Sequence, residues 1–393
     1  MAEANRVVII VDRFPTGTET FIRRHVVALN ATVFARSMGR SDLDDWSGPL
    51  PEVLAFRRSS DEPEGLVGRA GRRLREMASG SYVPEWPPDM QESFDRLVRQ
   101  KSPTVALAEF GPSGVCALEA CRRHRIPLVV HFHGYDASSM LRLDSYRERL
   151  PALFDGAAAV VAVSHSMRAR LVGLGCPSAK LHVIPCGAPV SKVSASPWVT
   201  AESCRFLAVG SMTPVKGPLL TLRGFRRCVR RFPEVSMTMI GGGALLAAAR
   251  RWVRRHGLSS RVSLLGARPF TEVLAHLLTS SAFVQHSITT RVGAIEGWGV
   301  SLAEAAAAHL PIVATCHGGI PDQVIDGVTG FLVKEGDWRA MGDRMCELAE
   351  DPSLRARMGL RGRRHIEVVG DLELQVNKLR EVLGALSGVR GAD

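Results

Sequence analysis

Two carboxylates eight positions apart, Glu296 and Glu304, flank Gly297-Trp298-Gly299-Val300, a glycine-punctuated turn that runs into an alanine-rich stretch. Gly297 and Gly299 let the backbone approach a ligand closely. The free N–H groups of a helix starting near Val300 offer partial positive charge to a phosphate. Glu304 falls about one turn inside that helix, too deep to cap it. There it can accept two hydrogen bonds from neighbouring hydroxyls such as those of a ribose. Glu296, ahead of the turn, faces such a ligand from the other side. The residues alone leave open a plainer structure, a Gly turn and a surface helix with two solvated acids.

Other residues carry chemical potential of the same kind. Lys216, beside Gly217 and just ahead of a helical pattern, is a point charge suited to a diphosphate. His133 follows the apolar run 127–132 and precedes Gly134, so it is placed at a strand end, where a satisfied structural histidine is the alternative. His131 reads as structural. Asp42-Leu43-Asp44 has the form that holds Mg²⁺ or Mn²⁺ against a diphosphate, but it ends no predicted strand, and no metal is expected. Gly241-Gly242-Gly243 lacks the spacing of a dinucleotide fingerprint, which argues against an NAD-dependent oxidoreductase.

These residues need a scaffold of strand ends. Apolar runs at 7–11, 104–108, 127–132, 157–163, 205–210, 235–240, 262–266 and 282–285 have buried-strand length and alternate with helical patterns. That alternation predicts an α/β protein with parallel sheets, whose ligands gather at the carboxyl ends of the strands. Residues 41–88 lose periodicity and read as loops and short helices. The chain divides into a first domain at 1–190, a Ser- and Pro-rich linker at 191–203, and a second domain at 204–365. A segment at 366–393 ends in a helix with Leu372, Val376, Leu379, Val382, Leu383 and Leu386 on one face.

Composition bounds the rest. The 393 residues, 46% hydrophobic, suffice for two cores. No apolar run approaches the roughly 20 residues of a membrane span, and the run at 7–11 is too short for a signal peptide, so a cytoplasmic protein is expected. The 8 cysteines show no C-x-x-C spacing and no paired histidines, suggesting neither disulfides nor a zinc site. The net charge of +11 admits anionic partners. Arg69, Arg72, Arg73 and Arg75 on an amphipathic segment suit peripheral contact with an anionic membrane at its inner face. The arginines of 223–231 and 250–255 read as solvated helix faces with no nucleic-acid recognition pattern.

The pair Glu296/Glu304 resembles the E-x7-E signature of the retaining GT-B glycosyltransferases of family 4. The likeness continues through Pro311-Ile312-Val313-Ala314-Thr315, Gly318-Gly319-Ile320-Pro321-Asp322 and residues 326–333. Phe14-Pro15-Thr16-Gly17-Thr18-Glu19-Thr20-Phe21 is similar to the F-P-x-x-S-E-T-F opening of bacterial polysaccharide transferases, and His133-Gly134-Tyr135-Asp136 to the family's H-G-x-D element. The resemblance implies two Rossmann-like domains facing a cleft, with the last helix crossing back onto the first. It implies transfer of a sugar from a nucleotide-diphosphate sugar to a glycan, lipid-linked or small-molecule hydroxyl, with retention, no metal and no other cofactor.

By the same resemblance His133, Glu296 and Lys216 are catalytic. Gly17, Ser211, Lys216, Ala267, Arg268, Glu296, Gly297, Trp298, Gly299, Val300 and Glu304 meet the donor, and Thr18, Glu19 and Asp136 lie on the acceptor side. Ser211 stands where the family's G-R-x-x-x-x-K-G pattern has arginine, leaving Lys216 alone unless Arg291 substitutes. Cell-surface polysaccharide assembly and secondary-metabolite glycosylation both use this family, and the Phe14–Phe21 words favour the first. A non-catalytic sugar-nucleotide binder draws support from Ser211. A sugar-nucleotide epimerase lacks an identifiable acid pair in the first domain.

Overall fold

The apolar runs become strands of two parallel sheets. A computed structural model describes residues 6–14, 20–38, 52–55 and 85–388. The predicted site residues Gly17, Thr18 and Glu19, the Asp42/Asp44 pair and the arginines of 69–75 lie outside the described residues. The chain forms two compact units, residues 1–184 with 376–393, and residues 185–375.

In the first unit β1 (Val7–Phe14), β2 (Thr32–Met38), β3 (Val53–Ala55), β4 (Val105–Glu109), β5 (Leu128–Phe132), β6 (Ala159–Ala162) and β7 (Leu181–Val183) form one sheet among the described residues. Its order is β3-β2-β1-β4-β5-β6-β7, and every pairing is parallel. All five residues of β4 and of β5 are buried, as strands covered on both faces must be. The helices are α1 (Thr20–Leu29), α2 (Pro88–Lys101), α3 (Gly111–Arg123), α4 (Asp144–Arg147), α5 (Leu150–Gly156) and α6 (His165–Gly173). In α6 the side chain of Ser164 caps by accepting from the Met167 N–H.

The second unit repeats the plan with β8 (Arg205–Val209), β9 (Ser236–Ile240), β10 (Val262–Gly266), β11 (Ala282–Gln285), β12 (Ile312–Thr315) and β13 (Gly330–Val333), in the order β10-β9-β8-β11-β12-β13. Its helices are α7 (Pro218–Arg231), α8 (Leu246–Arg255), α9 (Phe270–Leu278), α10 (Val300–Ala307), α11 (Trp338–Glu350) and α12 (Pro352–Val369). The last helix, α13 (Leu372–Ser387), buries Val376, Leu379 and Leu383. Sheets of this order reverse direction between β1 and β4, and between β8 and β11, opening a crevice at the carboxyl ends of those strands.

Residues 191–203 pack against the second unit. The Ser196 hydroxyl donates to the carbonyls of Leu278 (3.1 Å) and Ser280 (2.7 Å), and Val193 and Val199 are buried. The fully buried Arg355 of α12 donates to the carbonyls of Val199, Ala201, Leu348 and Ala349, tying this segment to the end of α11. Its charge is spread over oxygens that would otherwise lack partners.

The eight cysteines form no disulfide. No helix among the described residues is long and apolar enough to cross a membrane. The arginines of α7 and α8 lie on exposed helix faces as expected, with Arg226 alone half-buried, and Arg223, Arg226, Arg230 and Arg255 line one groove with Trp252 and Trp338. In the same groove Arg227 pairs with Asp343 (2.5 Å) and Arg231 pairs with Glu350 (3.1 Å).

Candidate active site

In the second unit the crevice between β8 and β11 collects the charged groups. After β8 the chain passes Gly210 and Ser211 into a single 3₁₀ turn, Pro214–Lys216, that sets Lys216 at the threshold of α7. Gly217 follows at φ 53°, and a Cβ there would lie 2.0 Å from the His286 carbonyl oxygen. Glycine is therefore required where the loop after β8 meets the loop after β11. Across this contact the Lys216 ammonium pairs with Glu296 Oε2, the side chains being 18% and 14% exposed. Gln285 Nε2, at the end of β11, donates to Ser287 Oγ (2.8 Å) and lies 3.5 Å from the same Glu296 oxygen.

A second set of side chains fixes the Glu296 backbone. The Glu296 N–H donates to His317 Nε2 (2.9 Å), and His317 Nδ1 donates to Glu335 Oε1 (2.6 Å). Glu335 also accepts from the Thr289 N–H (2.6 Å). Partial burial would raise the Glu335 carboxyl, but the bonds from His317 and Thr289 outweigh it and hold the group below its usual range. His317, Glu335 and Gln323, whose amide donates to the Trp298 carbonyl, are site residues that sequence reasoning missed. The Thr315-Cys316-His317-Gly318 turn after β12 was the available signal, since a histidine there also follows a strand end.

Gly299 caps α10 at φ 87°, and Glu304 is buried one turn inside it at 6% exposure. The indole of Trp298 is also buried, so what Trp298 offers a ligand is its backbone. Ser211 Oγ lies 3.1 Å from Thr213 Oγ1. Arg268, with Ala267 in the turn after β10, pairs with Glu272 (3.2 Å) in the first turn of α9. Arg291 sits exposed in a turn closed by the Gly293 N–H on the Thr290 carbonyl (2.8 Å).

His286 is buried behind this loop. Its Nε2 accepts from the Gly336 N–H (2.9 Å), so Nδ1–H faces Met341 Sδ at 3.4 Å. Burial pushes the imidazole from 6.5 down to about 4, against the raising influence of Asp337 and Glu335. The unfolded chain therefore binds a proton below about pH 6.5 that the folded chain refuses until about pH 4. Stability falls as pH drops through that window, by about 3 kcal/mol in all from this group. Urea unfolding at pH 7 and pH 4.5 should show the loss, and His286→Gln, weaker at pH 7, should show less change between the two. An equal pH dependence in that variant would overturn the assignment.

In the first unit Glu109 ends β4 and is fully buried among three imidazoles. Its Oε1 is 2.7 Å from His25 Nδ1, and its Oε2 is 2.6 Å from His133 Nε2 and 3.5 Å from His131 Nδ1. Burial alone would raise the carboxyl, but the charge and hydrogen bonds of His25 and His133 hold it well below the usual range. Phe21 and Phe110 pack on the His133 ring at centroid distances of 4.4 and 4.7 Å. Asp136 is fully buried, and its oxygens accept the N–H groups of Gly111 (3.0 Å), His133 (3.1 Å) and Gly134 (2.8 Å). That carboxylate shapes the His133 loop and is closed to an acceptor.

Residues 200–365 match the profile described as Glycosyl transferases group 1, and residues 50–192 that of Glycosyltransferase Family 4. The chain is 30% identical over 360 residues to "Putative colanic acid biosynthesis glycosyltransferase WcaL" of Salmonella typhimurium (strain LT2), spanning 86% of this chain and 89% of that protein. It is 27% identical over 318 residues, 78% of this chain and 82% of the other, to the GDP-mannose-dependent alpha-(1-6)-phosphatidylinositol monomannoside mannosyltransferase of Mycolicibacterium smegmatis. In fold it is similar to Anabaena Alr3699/HepE in complex with UDP and glucose, with a TM-score of 0.76 and 18% identity over 97% of this chain and 100% of that one. With two parallel α/β sheets, the Glu296/Glu304 pair and these relatives together, the chain belongs to the group 1, family 4 glycosyltransferases of GT-B fold.

Proposed function

We propose that this glycosyltransferase moves a sugar from a nucleoside-diphosphate sugar to an acceptor hydroxyl with retention of configuration, in cell-surface polysaccharide or glycoconjugate assembly. The observation that carries the reading is the Lys216–Glu296 pair at the crevice between β8 and β11. As the bond from the anomeric carbon to the diphosphate breaks, negative charge grows on the departing oxygens. Lys216 and the N–H groups at the start of α10 meet it in a site poor in water. Glu304 accepts from the ribose hydroxyls, and Glu296 accepts from the sugar. The acceptor hydroxyl oxygen forms the new bond to the anomeric carbon, and its proton passes to the departing diphosphate. The likeness to the putative colanic acid biosynthesis glycosyltransferase WcaL supports polysaccharide assembly. The groove of Arg223, Arg226, Arg230 and Arg255 supports contact at an anionic membrane face.

Thermal-shift measurement with UDP-, GDP-, ADP- and dTDP-sugars should single out one base, and transfer of a radiolabelled donor with NMR of the product's anomeric centre tests the reaction and its stereochemistry. Binding without turnover would favour instead a sugar-nucleotide-binding relative, the reading to which Ser211 lends support. We further propose that no divalent cation bridges the diphosphate. Turnover should be the same with Mg²⁺ and Mn²⁺ left out as with either added, and an obligatory requirement for one of them would bring Asp42 and Asp44 back as its ligands.

A further inference from the structure

The fold unites residues that the sequence holds 84 and 22 positions apart: ligand atoms of His25, Glu109 and His131, all buried, lie within 4.8 Å of one another. The proton positions in this cluster are constrained. His131 Nε2 is 3.2 Å from the Ile184 carbonyl oxygen, which can only accept, so Nε2 carries the hydrogen. Nδ1 then presents its lone pair, buried, without a hydrogen-bond partner, 3.5 Å from Glu109 Oε2. The Glu109 carboxylate, contacted by His133 Nε2 at 2.6 Å, is likewise an acceptor. Two acceptors thus face each other in a dry interior, an arrangement that costs free energy unless a cation lies between them.

We propose that His25, His131 and Glu109 bind one zinc ion inside the first unit. The donor set, two imidazole nitrogens and a carboxylate, suits zinc, whereas Mg²⁺ and Ca²⁺ take oxygen ligands. Bonds of about 2.0–2.1 Å in a tetrahedron set neighbouring donors roughly 3.3 Å apart. The separations of 2.7 Å from His25 Nδ1 and 3.5 Å from His131 Nδ1 to the Glu109 oxygens lie on either side of that value. Metal-bound histidines ordinarily donate their second N–H to a carbonyl or carboxylate, and His131 already does so at Ile184. His133 bonds the Glu109 carboxylate from outside the ligand set, at 2.6 Å, so the ion joins α1, β4 and β5 immediately behind the His133 ring. The ion stands apart from the diphosphate chemistry, and the proposal does not rest on the transfer reading.

Full-length untagged protein, produced in zinc-supplemented cells and dialysed free of loose metal, should contain about one zinc per chain by elemental mass spectrometry. His131→Gln keeps a donor for the Ile184 carbonyl while removing the Nδ1 ligand, and Glu109→Gln keeps the carboxylate's shape. Each should hold at least about tenfold less zinc. Cobalt(II) added to chelator-stripped wild type should produce the visible absorption of a tetrahedral site, and this readout does not depend on either variant folding. Wild-type protein that takes up neither zinc nor cobalt, or folded variants that hold as much zinc as wild type, would overturn the proposal.

Discussion

Lys216→Ala should lower kcat by about 10²–10³-fold, the common cost of removing one preorganised contact to a developing charge. The expectation rests on position. Lys216 is held by a 3₁₀ turn, an obligatory glycine at Gly217 and the Glu296 carboxylate, so its ammonium is fixed before any ligand arrives. Ser211, where the family pattern has arginine, offers only a hydroxyl 3.1 Å from that of Thr213. Arg291→Ala should stay within a few-fold of wild type, because Arg291 lies in an exposed turn. Ser211→Arg should be neutral or mildly activating. If Arg291 has instead taken over the lost arginine's work, Arg291→Ala becomes severe and the double alanine variant falls short of the summed losses, since both residues act on one charge. Steady-state kcat for the four variants decides between these, and wild-type turnover in both single alanine variants would remove the electrostatic basis of the proposed reaction.

Glu304→Ala should weaken nucleotide binding by about 10- to 150-fold, the roughly 1.5–3 kcal/mol of hydrogen bonds to a charged acceptor. Glu304 is 6% exposed inside α10, so the carboxylate is already withdrawn from water and has little hydration to lose when a ribose arrives. Calorimetric titration of the free nucleoside diphosphate against wild type, Glu304→Ala and Glu304→Gln checks it. The glutamine variant, which keeps an acceptor but not the charge, should fall between the other two. An unchanged Kd in the alanine variant would mean that the second carboxylate serves the fold and not the ligand.

Much of the scaffold was legible because parallel strands covered on both faces must be written as apolar runs, as in β4, β5 and β8. Three early elements escaped. β2 holds only Val33, Phe34 and Ala35 as a buried apolar run before Arg36, and β3 has three residues, too few for a period to register. α2 opens at Pro88 on the edge of a Pro-rich stretch that reads as loop. At the site, Lys216 and Glu296 were visible through adjacent glycines, because the same backbone freedom that admits a ligand marks the chain, and Glu304 through its spacing from Glu296. The supporting groups show their purpose only when distant segments meet. His25 and Glu109 are 84 residues apart, and His317 reaches Glu335 only when β12 and β13 lie side by side. Sequence spacing pointed away from any zinc site for the same reason, since its ligands converge only in the folded sheet.

If Lys216 meets the diphosphate as proposed, its ion pair with Glu296 gives the resting protein an occupant of that anion site. A tethered carboxylate is present at high effective concentration, so an incoming anion must evict a resident as well as bind. A singly charged anion brings no more charge than it displaces and gains little from the exchange. A diphosphate brings more charge and several oxygens, and so passes a threshold that chloride does not. Its arrival also changes the trade of Glu296. Released from the ammonium, the carboxylate becomes an acceptor for sugar hydroxyls at the moment a sugar is delivered, and on departure of the diphosphate it can reclaim the lysine. Selectivity for the donor, readiness of the sugar-holding group and clearance of the product are then three readings of one displaceable contact.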